Sequence, residues 1–481
     1  MERVVRHTSS VCPVCFRRIS ASIVERTTGF FIEKECSEHG FFSAVTWRGR
    51  PPLPDWTGTL PEMDPTDAPG CPDNCGLCPD HLQQTCCVLL EVTSRCNLAC
   101  PHCFAGASPD TQAPDPSLEQ VLRWVEDIGQ RGRAFLQLSG GEPTMRDDLP
   151  QIVRHARQWG CEYVQLNSNG LRLADDPVYV QALADAGLSF VFMQFDGVSD
   201  AVYRQLRGAD LLATKMRAIE MCGHYNIGVT LVPTVVPGVN DGQVGDILRL
   251  ATSLSPVVRG VHFQPVSYFG RFPKPPSDAD RITLPEVLAC IYAQAGELVP
   301  AKSIAKSRCD HARCGFHGAY IVLPDQPCDQ QCGQSCDREG IQNSGQKVRL
   351  KALTAEEAPP CCGPTSAEKN REFVGSRWRR PETASICESK PLAMTPASCC
   401  ESKPLAMAPA SCCESTDSQQ APMPAIHTLD GFLQRAATHS FTISAMAFQD
   451  AYTLDIERLR QCSLHVYDRG RIVPFCAYYL R

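Results

Sequence analysis

Long hydrophobic runs are absent from this sequence. No stretch approaches the roughly 18 apolar residues that a membrane-crossing helix needs, so the chain is not expected to span a membrane. The opening residues, MERVVRHTSS, lack the apolar core of a secretory signal, and a cytoplasmic location is the expectation. An excess of positive charge is absent too: 46 Lys and Arg stand against 53 Asp and Glu, a net charge of −7. Surfaces that coat nucleic acid are usually basic, so no nucleic-acid partner is expected. What remains is an ordinary soluble composition, 43% hydrophobic and 21% charged. At 481 residues the chain is too long for one small module and short for more than about three domains.

Cysteine is the residue in excess, 28 of 481. Disulfides would explain that number in a small secreted protein, but this chain is long and shows no export signal. In a reducing compartment, clustered cysteines bind metal or carry redox chemistry. Their placement is therefore the main source of information.

Residues 1–50 contain Cys12-Pro-Val-Cys15, an alternating stretch from Ser20 to Phe31, and Cys36-Ser-Glu-His39. Two knuckles separated by a strand or hairpin suit a tetrahedral one-metal site. Zinc and a rubredoxin-like iron both fit; reduced, unligated thiols are the alternative. Residues 51–84 read as a Pro-, Asp- and Gly-rich linker carrying Cys71, Cys75 and Cys78, with His81 following.

From residue 85 to about 300 the pattern alternates. The apolar run Cys87–Val92 reads as a buried strand. Further strand-like runs are Phe135–Leu138, Tyr163–Leu166, Phe190–Phe195, Gly228–Val232 and Gly260–Phe263, with helix-like segments near 117–129, 147–158, 177–186, 211–223 and 242–253. Six βα repeats imply an α/β fold with parallel strands and crossover helices, whose ligands gather at the C-terminal strand ends.

Beyond this unit the character changes. Residues 301–345 form a Cys-rich segment holding Cys309, Cys314, Cys328, Cys332 and Cys336. Residues 346–425 include near-identical 13-residue copies, CESKPLAMTPASC from Cys387 and CESKPLAMAPASC from Cys400. Rich in Pro, Ser and Ala, this tandem-repeat insertion is expected to be disordered. Its paired cysteines, Cys361-Cys362, Cys399-Cys400 and Cys412-Cys413, read as a duplicated spacer or as a trap for soft metal. Residues 426–481 regain apolar pattern, carry Cys462 and Cys476, and are expected to close the core.

Two stretches share the spacing C-x3-C-x2-C: Cys71, Cys75, Cys78 and Cys96, Cys100, Cys103. Thiolates select soft metals and iron–sulfur clusters. Three on one short loop hold three irons of a [4Fe–4S] cube and leave the fourth open to a ligand. The second copy follows a buried strand and opens the βα unit, which makes it the better candidate for a reactive cluster.

With Ser139-Gly140-Gly141-Glu142-Pro143, Asn167-Ser168-Asn169-Gly170, Gln194-Phe195-Asp196-Gly197 and Arg207-Gly208 falling in order on successive strand ends, residues 85–275 resemble the radical S-adenosylmethionine superfamily. The order CPxC…CxxHG, GCPxxCGLCxxH, EVTxRCNLxCPxCF, with the tail FTISAMAFQDAYTLD…PFCAY, is similar to one branch of it. That branch includes 7,8-dihydro-6-hydroxymethylpterin dimethyltransferase and tetraether-lipid synthase. The resemblance implies a partial (β/α)6 barrel, an N-terminal metal-binding domain of rubredoxin or zinc-ribbon type and a Cys-rich C-terminal extension. It implies a reactive [4Fe–4S] cluster on Cys96, Cys100 and Cys103, and S-adenosylmethionine held by Gly140, Gly141, Glu142, Asn169, Asp196 and Arg207. It further implies at least one auxiliary cluster, with Cys71, Cys75 and Cys78 as ligands, and one Zn or Fe ion on Cys12, Cys15, Cys36 and His39. The fourth auxiliary ligand is left between His81 and a C-terminal cysteine, and Cys309, Cys314, Cys462 and Cys476 are candidates for a further cluster. The 13-residue repeat departs from the pattern of the branch, and nothing in the resemblance explains it.

The activity so implied is reductive cleavage of S-adenosylmethionine to a 5′-deoxyadenosyl radical, used for C-methylation of a pterin-like or other small molecule, with a ferredoxin or flavodoxin as electron donor. Radical coupling of lipid chains is the alternative, and a non-catalytic iron–sulfur or metal-storage protein is a third reading. A lipid substrate requires a long apolar channel; a pterin requires a compact polar pocket with stacking aromatics.

Overall fold

The computed structural model describes residues 2–56, 81–82, 85–111, 114–132, 135–307, 311–324, 348–353 and 429–480. Cys71, Cys75, Cys78, Cys309, Cys328, Cys332, Cys336, the paired cysteines and the 13-residue repeat fall outside the described residues.

The N-terminal residues form an antiparallel meander of Arg3–Val11 (β1), Arg18–Arg26 (β2), Gly29–Cys36 (β3) and Gly40–Trp47 (β4), in that spatial order. Alternation places Ala21, Ile23 and Ile32 in the core. In a meander the β1–β2 and β3–β4 connections share one end of the sheet. Cys12–Cys15 and Cys36–His39 occupy those two connections and meet for that reason. Gly40 turns the second connection at φ +77°, a left-handed conformation that favours glycine.

The second sheet has 13 strands. Its centre is the βα unit: Cys87–Thr93 (β5), Phe135–Gly140 (β6), Tyr163–Ser168 (β7), Phe190–Gln194 (β8), Gly228–Val232 (β9) and, after the two-residue Thr234–Val235 (β10), Val258–Pro265 (β11). These six long strands are mutually parallel and adjacent in sequence order. The helices are Leu118–Gln130 (α1), Leu149–Gln158 (α2), Leu171–Asp175 (α3), Pro177–Asp185 (α4), Asp200–Arg207 (α5), Leu212–His224 (α6), Val244–Ser253 (α7) and Leu284–Ala295 (α8). Their apolar stripes, such as Val121 and Val125 or Ile247, Leu248 and Ala251, cover one face of the sheet through Leu90, Leu138, Leu166, Val191 and Leu231. The alternate residues face the other, inner side.

The six expected strands are present, while α3, α5 and α8 were hidden in stretches read as connections. Two boundaries need correction. Residues 301–345 are not wholly a separate Cys-rich segment, because Ala305–Lys306 (β12) and Gly315–Pro324 (β13) pair into the main sheet. The sequence FHGAYIVLP is a strand whose partner is remote, Ser440–Met446 (β15), so local pattern alone did not assign it. The segment expected to be unstructured from residue 346 begins with the strand Val348–Ala352 (β14), which seats Leu350 in the core.

The C-terminal residues flank the βα unit on both sides. β15 runs parallel beside β11, whereas Leu464–Asp468 (β16) runs parallel beside β5 and turns into Arg471–Pro474 (β17). Residues 447–463 therefore cross between the two margins of the unit. The crossing also holds the meander: Arg6 pairs with Asp455, Thr8 donates to Asp455 at 2.8 Å, and buried Lys34 donates to the carbonyl of Ala451 at 2.6 Å. On its other side Asp450 accepts from Arg281 at 2.8 and 3.1 Å in a buried, two-pronged ion pair.

Candidate active site and metal centres

Immediately after β5 the loop carrying Cys96, Cys100 and Cys103 turns over the strand ends. Cys96 is buried and the other two are half-buried. Residues remote in sequence brace the loop. Arg271 exchanges backbone hydrogen bonds with Cys103 at 2.9 Å each way, and its side chain donates to the carbonyls of Cys100 at 2.8 Å and Ala107 at 2.7 Å. Gly270, at φ +53°, permits that approach: a Cβ there would sit 2.5 Å from the Phe104 carbonyl oxygen. On the opposite side Phe104 meets Tyr479 edge-to-face at 4.9 Å, and Tyr478 and Tyr479 both donate to Glu91 on β5, at 2.9 and 2.5 Å. Burial, with the negative charge of Glu142 and the neighbouring thiols, pushes the Cys96 thiol up to about 11. It stays protonated until a cation compensates, as expected of a metal ligand in a buried loop.

The strand-end residues predicted from sequence gather beneath this loop. Gly140 and Gly141 serve the protein's own packing, since Cβ atoms there would sit 2.1 Å from the Thr93 carbonyl oxygen and 2.2 Å from that of Arg95. The backbone that approaches them so closely is the stretch leading into the cysteine loop. The buried Glu142 carboxylate accepts from the Thr144 hydroxyl at 2.7 Å, Ser168 at 2.8 Å and the Asn169 amide N–H at 2.6 Å. The Asn169 side chain donates to Asn97 in the cysteine loop at 2.7 Å. Asp196, wholly buried, accepts two bonds from Arg207 at 2.7 and 2.8 Å and one from the Thr234 N–H at 3.1 Å. Arg207 reaches on to the His102 carbonyl at 3.2 Å.

Lys215 escaped the sequence reading. Wholly buried on α6, its ammonium donates to the Asn169 carbonyl and, at 2.9 Å, to the Gln194 side-chain oxygen. Burial lowers it to about 8. The signal was a lysine on the apolar stripe shared by Ala218, Ile219 and Cys222. Arg271 gave no local signal, because its partners are all tertiary.

Below the strand ends the inner face of the sheet is polar and aromatic. Asn167, Phe192, Thr230 and Gly260 are cross-strand neighbours, and His262 pairs with Ser444. Asn167, Phe192, His262 and Ser444 are half-buried. The rings of Phe192 and His262 stand 5.4 Å apart, and His262 Nδ1 is 2.9 Å from the Ser444 hydroxyl. Burial lowers His262 to about 4, so it is neutral.

The N-terminal site is tighter. The ligand atoms of Cys12, Cys15, Cys36 and His39 lie within 4.8 Å of one another. His39 Nδ1 is 3.5 Å from the Cys36 sulfur, and the Cys15 and Cys36 sulfurs are 4.0 Å apart. A tetrahedron with metal–sulfur bonds of about 2.3 Å has edges of about 3.8 Å, so the donors fit one ion. The N–H of Glu38 and the His39 ring hold the Cys36 thiol down at about 6, ready to ionise.

Of the other candidates, Cys314 and Cys476 both act on the Arg458 guanidinium. Cys314 accepts from the Arg458 guanidinium at 3.3 Å, Cys476 accepts from the Gln449 N–H at 3.3 Å, and Cys462 donates to the Leu464 carbonyl at 3.0 Å. His81 Nε2 is 2.7 Å from the Cys462 carbonyl oxygen and 3.1 Å from His465 Nε2. Cys161 and Cys222 are buried in the helix-covered core, where burial raises both thiols, to about 11 and about 12; Cys290 is half-buried. Among the described residues no helix is long and apolar enough to cross a membrane.

Comparison with known proteins agrees with this geometry. Residues 90–251 match the Radical SAM superfamily, and residues 4–48 match the HMPTM N-terminal zinc ribbon domain. The parallel sheet and its three-cysteine strand-end loop thus belong to a radical SAM enzyme, a class that uses a [4Fe–4S] cluster and S-adenosylmethionine. The chain is 32% identical over 488 residues to 7,8-dihydro-6-hydroxymethylpterin dimethyltransferase of Methanocaldococcus jannaschii, spanning 98% of this chain and 93% of that protein. It belongs to the family of that dimethyltransferase. Fe-coproporphyrin III synthase of Methanosarcina barkeri shares 33% identity over 162 residues, 33% of this chain and 38% of that protein. SuiB of Streptococcus suis, solved with S-adenosylmethionine, aligns over 42% of this chain and 44% of its own at 12% identity and a TM-score of 0.34.

Proposed function

We propose that the protein methylates carbon on a pterin-like small molecule, with Cys96, Cys100 and Cys103 holding the reactive [4Fe–4S] cluster. When bound, that cluster supplies the electron that cleaves S-adenosylmethionine. The residues around it bind and orient. Glu142 accepts from the ammonium of the methionyl group with lone pairs its protein donors leave over, and Asn169 lines the same strand end. Arg207, whose Nε and Nη2 are bound to Asp196 and Thr234, offers its charge and one N–H on Nη1 to the carboxylate, while Asp196 acts through Arg207 by fixing its plane. Gly140 and Gly141 act through the backbone they bring together.

The observation that carries the substrate reading is the inner face directly below this site. Gln165, Asn167, Thr230, His262 and Ser444 present polar groups beside the ring of Phe192. Such a face suits a flat, hydrogen-bonding heterocycle and would leave polar groups unpaired against acyl chains. The curated relative, named for a pterin substrate, supports the same reading. Cys71, Cys75 and Cys78 are the proposed auxiliary-cluster ligands, the N-terminal donors take one zinc or iron, and a cytoplasmic ferredoxin or flavodoxin supplies electrons. S-adenosylmethionine cleaved to 5′-deoxyadenosine keeps its methyl group on methionine, so the methyl must come from a second one-carbon donor. Reconstituted, reduced protein given 7,8-dihydro-6-hydroxymethylpterin, excess S-adenosylmethionine and a methylene-carrying reduced pterin as the alternative donor should yield 5′-deoxyadenosine and a pterin of increased mass. Cleavage of S-adenosylmethionine without any methylated pterin would refute the substrate assignment.

A further inference from the structure

The inner face holds a buried hydroxyl for which the fold gives no use. Thr230 is 2% exposed, and its Oγ1 has no hydrogen-bond partner among the described residues. Its neighbours Val229 and Leu231 point into the helix-covered core, so alternation aims Thr230 at the inner face. A buried hydroxyl without a partner is costly and rare in native proteins, and here it stands at a site already built for a ligand. Next along the same row, Gly260 brings no side chain, and Thr442 Oγ1 lies 2.3 Å from where its Cβ would be. On the other side stands Phe192, and beyond it Asn167.

Gln165 and Asn167 occupy the same face of β7. The Gln165 amide donates to Asn167 Oδ1 at 2.7 Å, which leaves Gln165 Oε1 as an acceptor and Asn167 Nδ2 as a donor, side by side. An adjacent acceptor and donor complement the N–H and C=O of a cyclic amide. The imidazole of His262, oriented by Ser444, and the ring of Phe192 supply flat surfaces.

We propose that this patch is the ring-recognition subsite: Phe192 stacks on a flat pyrimidinone-type heterocycle, His262, inclined at 43° to Phe192, meets the same ring at its border, and Thr230 with the Gln165–Asn167 amide pair hydrogen-bonds its polar edge. The assignment rests on the pterin-like reading above and adds the residues that select the ring. None of them belongs to the cysteine loop or the strand-end residues that hold S-adenosylmethionine, so ring binding and S-adenosylmethionine cleavage are separable.

The test uses the full-length, metal-loaded chain and 6-hydroxymethylpterin, whose fluorescence reports binding without turnover. Thr230→Val keeps the shape and removes the hydroxyl, and should weaken pterin binding about tenfold, the scale of one lost hydrogen bond. Thr230→Ser should restore it. Phe192→Leu should weaken binding and reduce the change in fluorescence on binding. In all three variants, uncoupled 5′-deoxyadenosine formation and the KM for S-adenosylmethionine should match the parent protein. If the parent binds and methylates pterin while Thr230→Val and Phe192→Leu bind it equally well, the subsite is wrong and the substrate reading stands. If the parent neither binds nor methylates any pterin, both fall. Failure of Thr230→Ser to rescue a weakened Thr230→Val would also overturn the proposal, because the loss would then come from packing.

Discussion

At the N-terminal site all four donors sit on two adjacent connections of one meander, and the donor atoms are within 4.8 Å of each other. The Cys96–Cys103 loop is built otherwise. Its thiols share one short segment, but the segment is braced by Arg271, 171 positions from Cys100, and by Tyr479 near the C-terminus. The first site is closed, with every donor aimed at one point. The second offers three thiols on a loop that touches the polar strand-end residues Asn169 and Arg207. A closed site needs only local folding to form and serves stability, whereas an open one must be held in place by the rest of the molecule to perform chemistry.

This contrast predicts which changes separate the two sites. The largest effect should come from replacing Cys96, Cys100 and Cys103 together with Ala: 5′-deoxyadenosine formation should vanish and iron should fall by about four atoms per chain, one cube's content. The N-terminal ion should remain, as metal analysis and absorption spectra would show. Persisting cleavage would place the reactive cluster elsewhere. Arg271→Ala should come next. It leaves every thiol in place but frees the loop, and should slow cleavage about 100-fold, the order expected from a misplacement of about 1 Å. An unchanged rate would mean that the loop holds itself.

Cys12→Ser should act on stability instead. A four-stranded meander of about fifty residues has too small a core to hold itself firmly and draws folding energy from its metal, so the melting temperature or solubility should drop while cleavage by the surviving folded fraction is unchanged. A stable variant that had lost only electron transfer would point to a redox iron. The smallest effect at neutral pH concerns buried histidines. Burial lowers His262 to about 4 and His439 to about 3, from an ordinary 6.5. Below pH 6.5 the unfolded chain binds protons there that the folded chain refuses. Stability from this source is therefore full above pH 6.5 and declines on acidification, by up to about 2 kcal/mol per histidine by pH 5. Urea midpoints measured across that range should fall with pH, and less steeply in His262→Gln.

Some of this was legible because its cause is local. The apolar, strand-like runs marked β5 to β9 and β11, the cysteine spacings marked both metal loops, and the Gly140-Gly141-Glu142 turn marked the strand end. Lys215 left a faint mark, a charge on an apolar stripe. Gly270, Arg271 and Tyr479 left none, since what they do depends on partners far along the chain.

The donor types, their spacing and the order of the βα repeats are properties of neighbouring residues, and these by themselves determined the class of chemistry and the core of the fold. Tertiary structure decided the rest. It wrapped residues 440–474 around both sides of the βα unit, drew β12 to β14 into the same sheet, and turned Thr230, His262 and Ser444 toward a single face. The physical reason is that side-chain alternation says a residue has two possible sides, and only the packed helices determine which side remains open to a ligand.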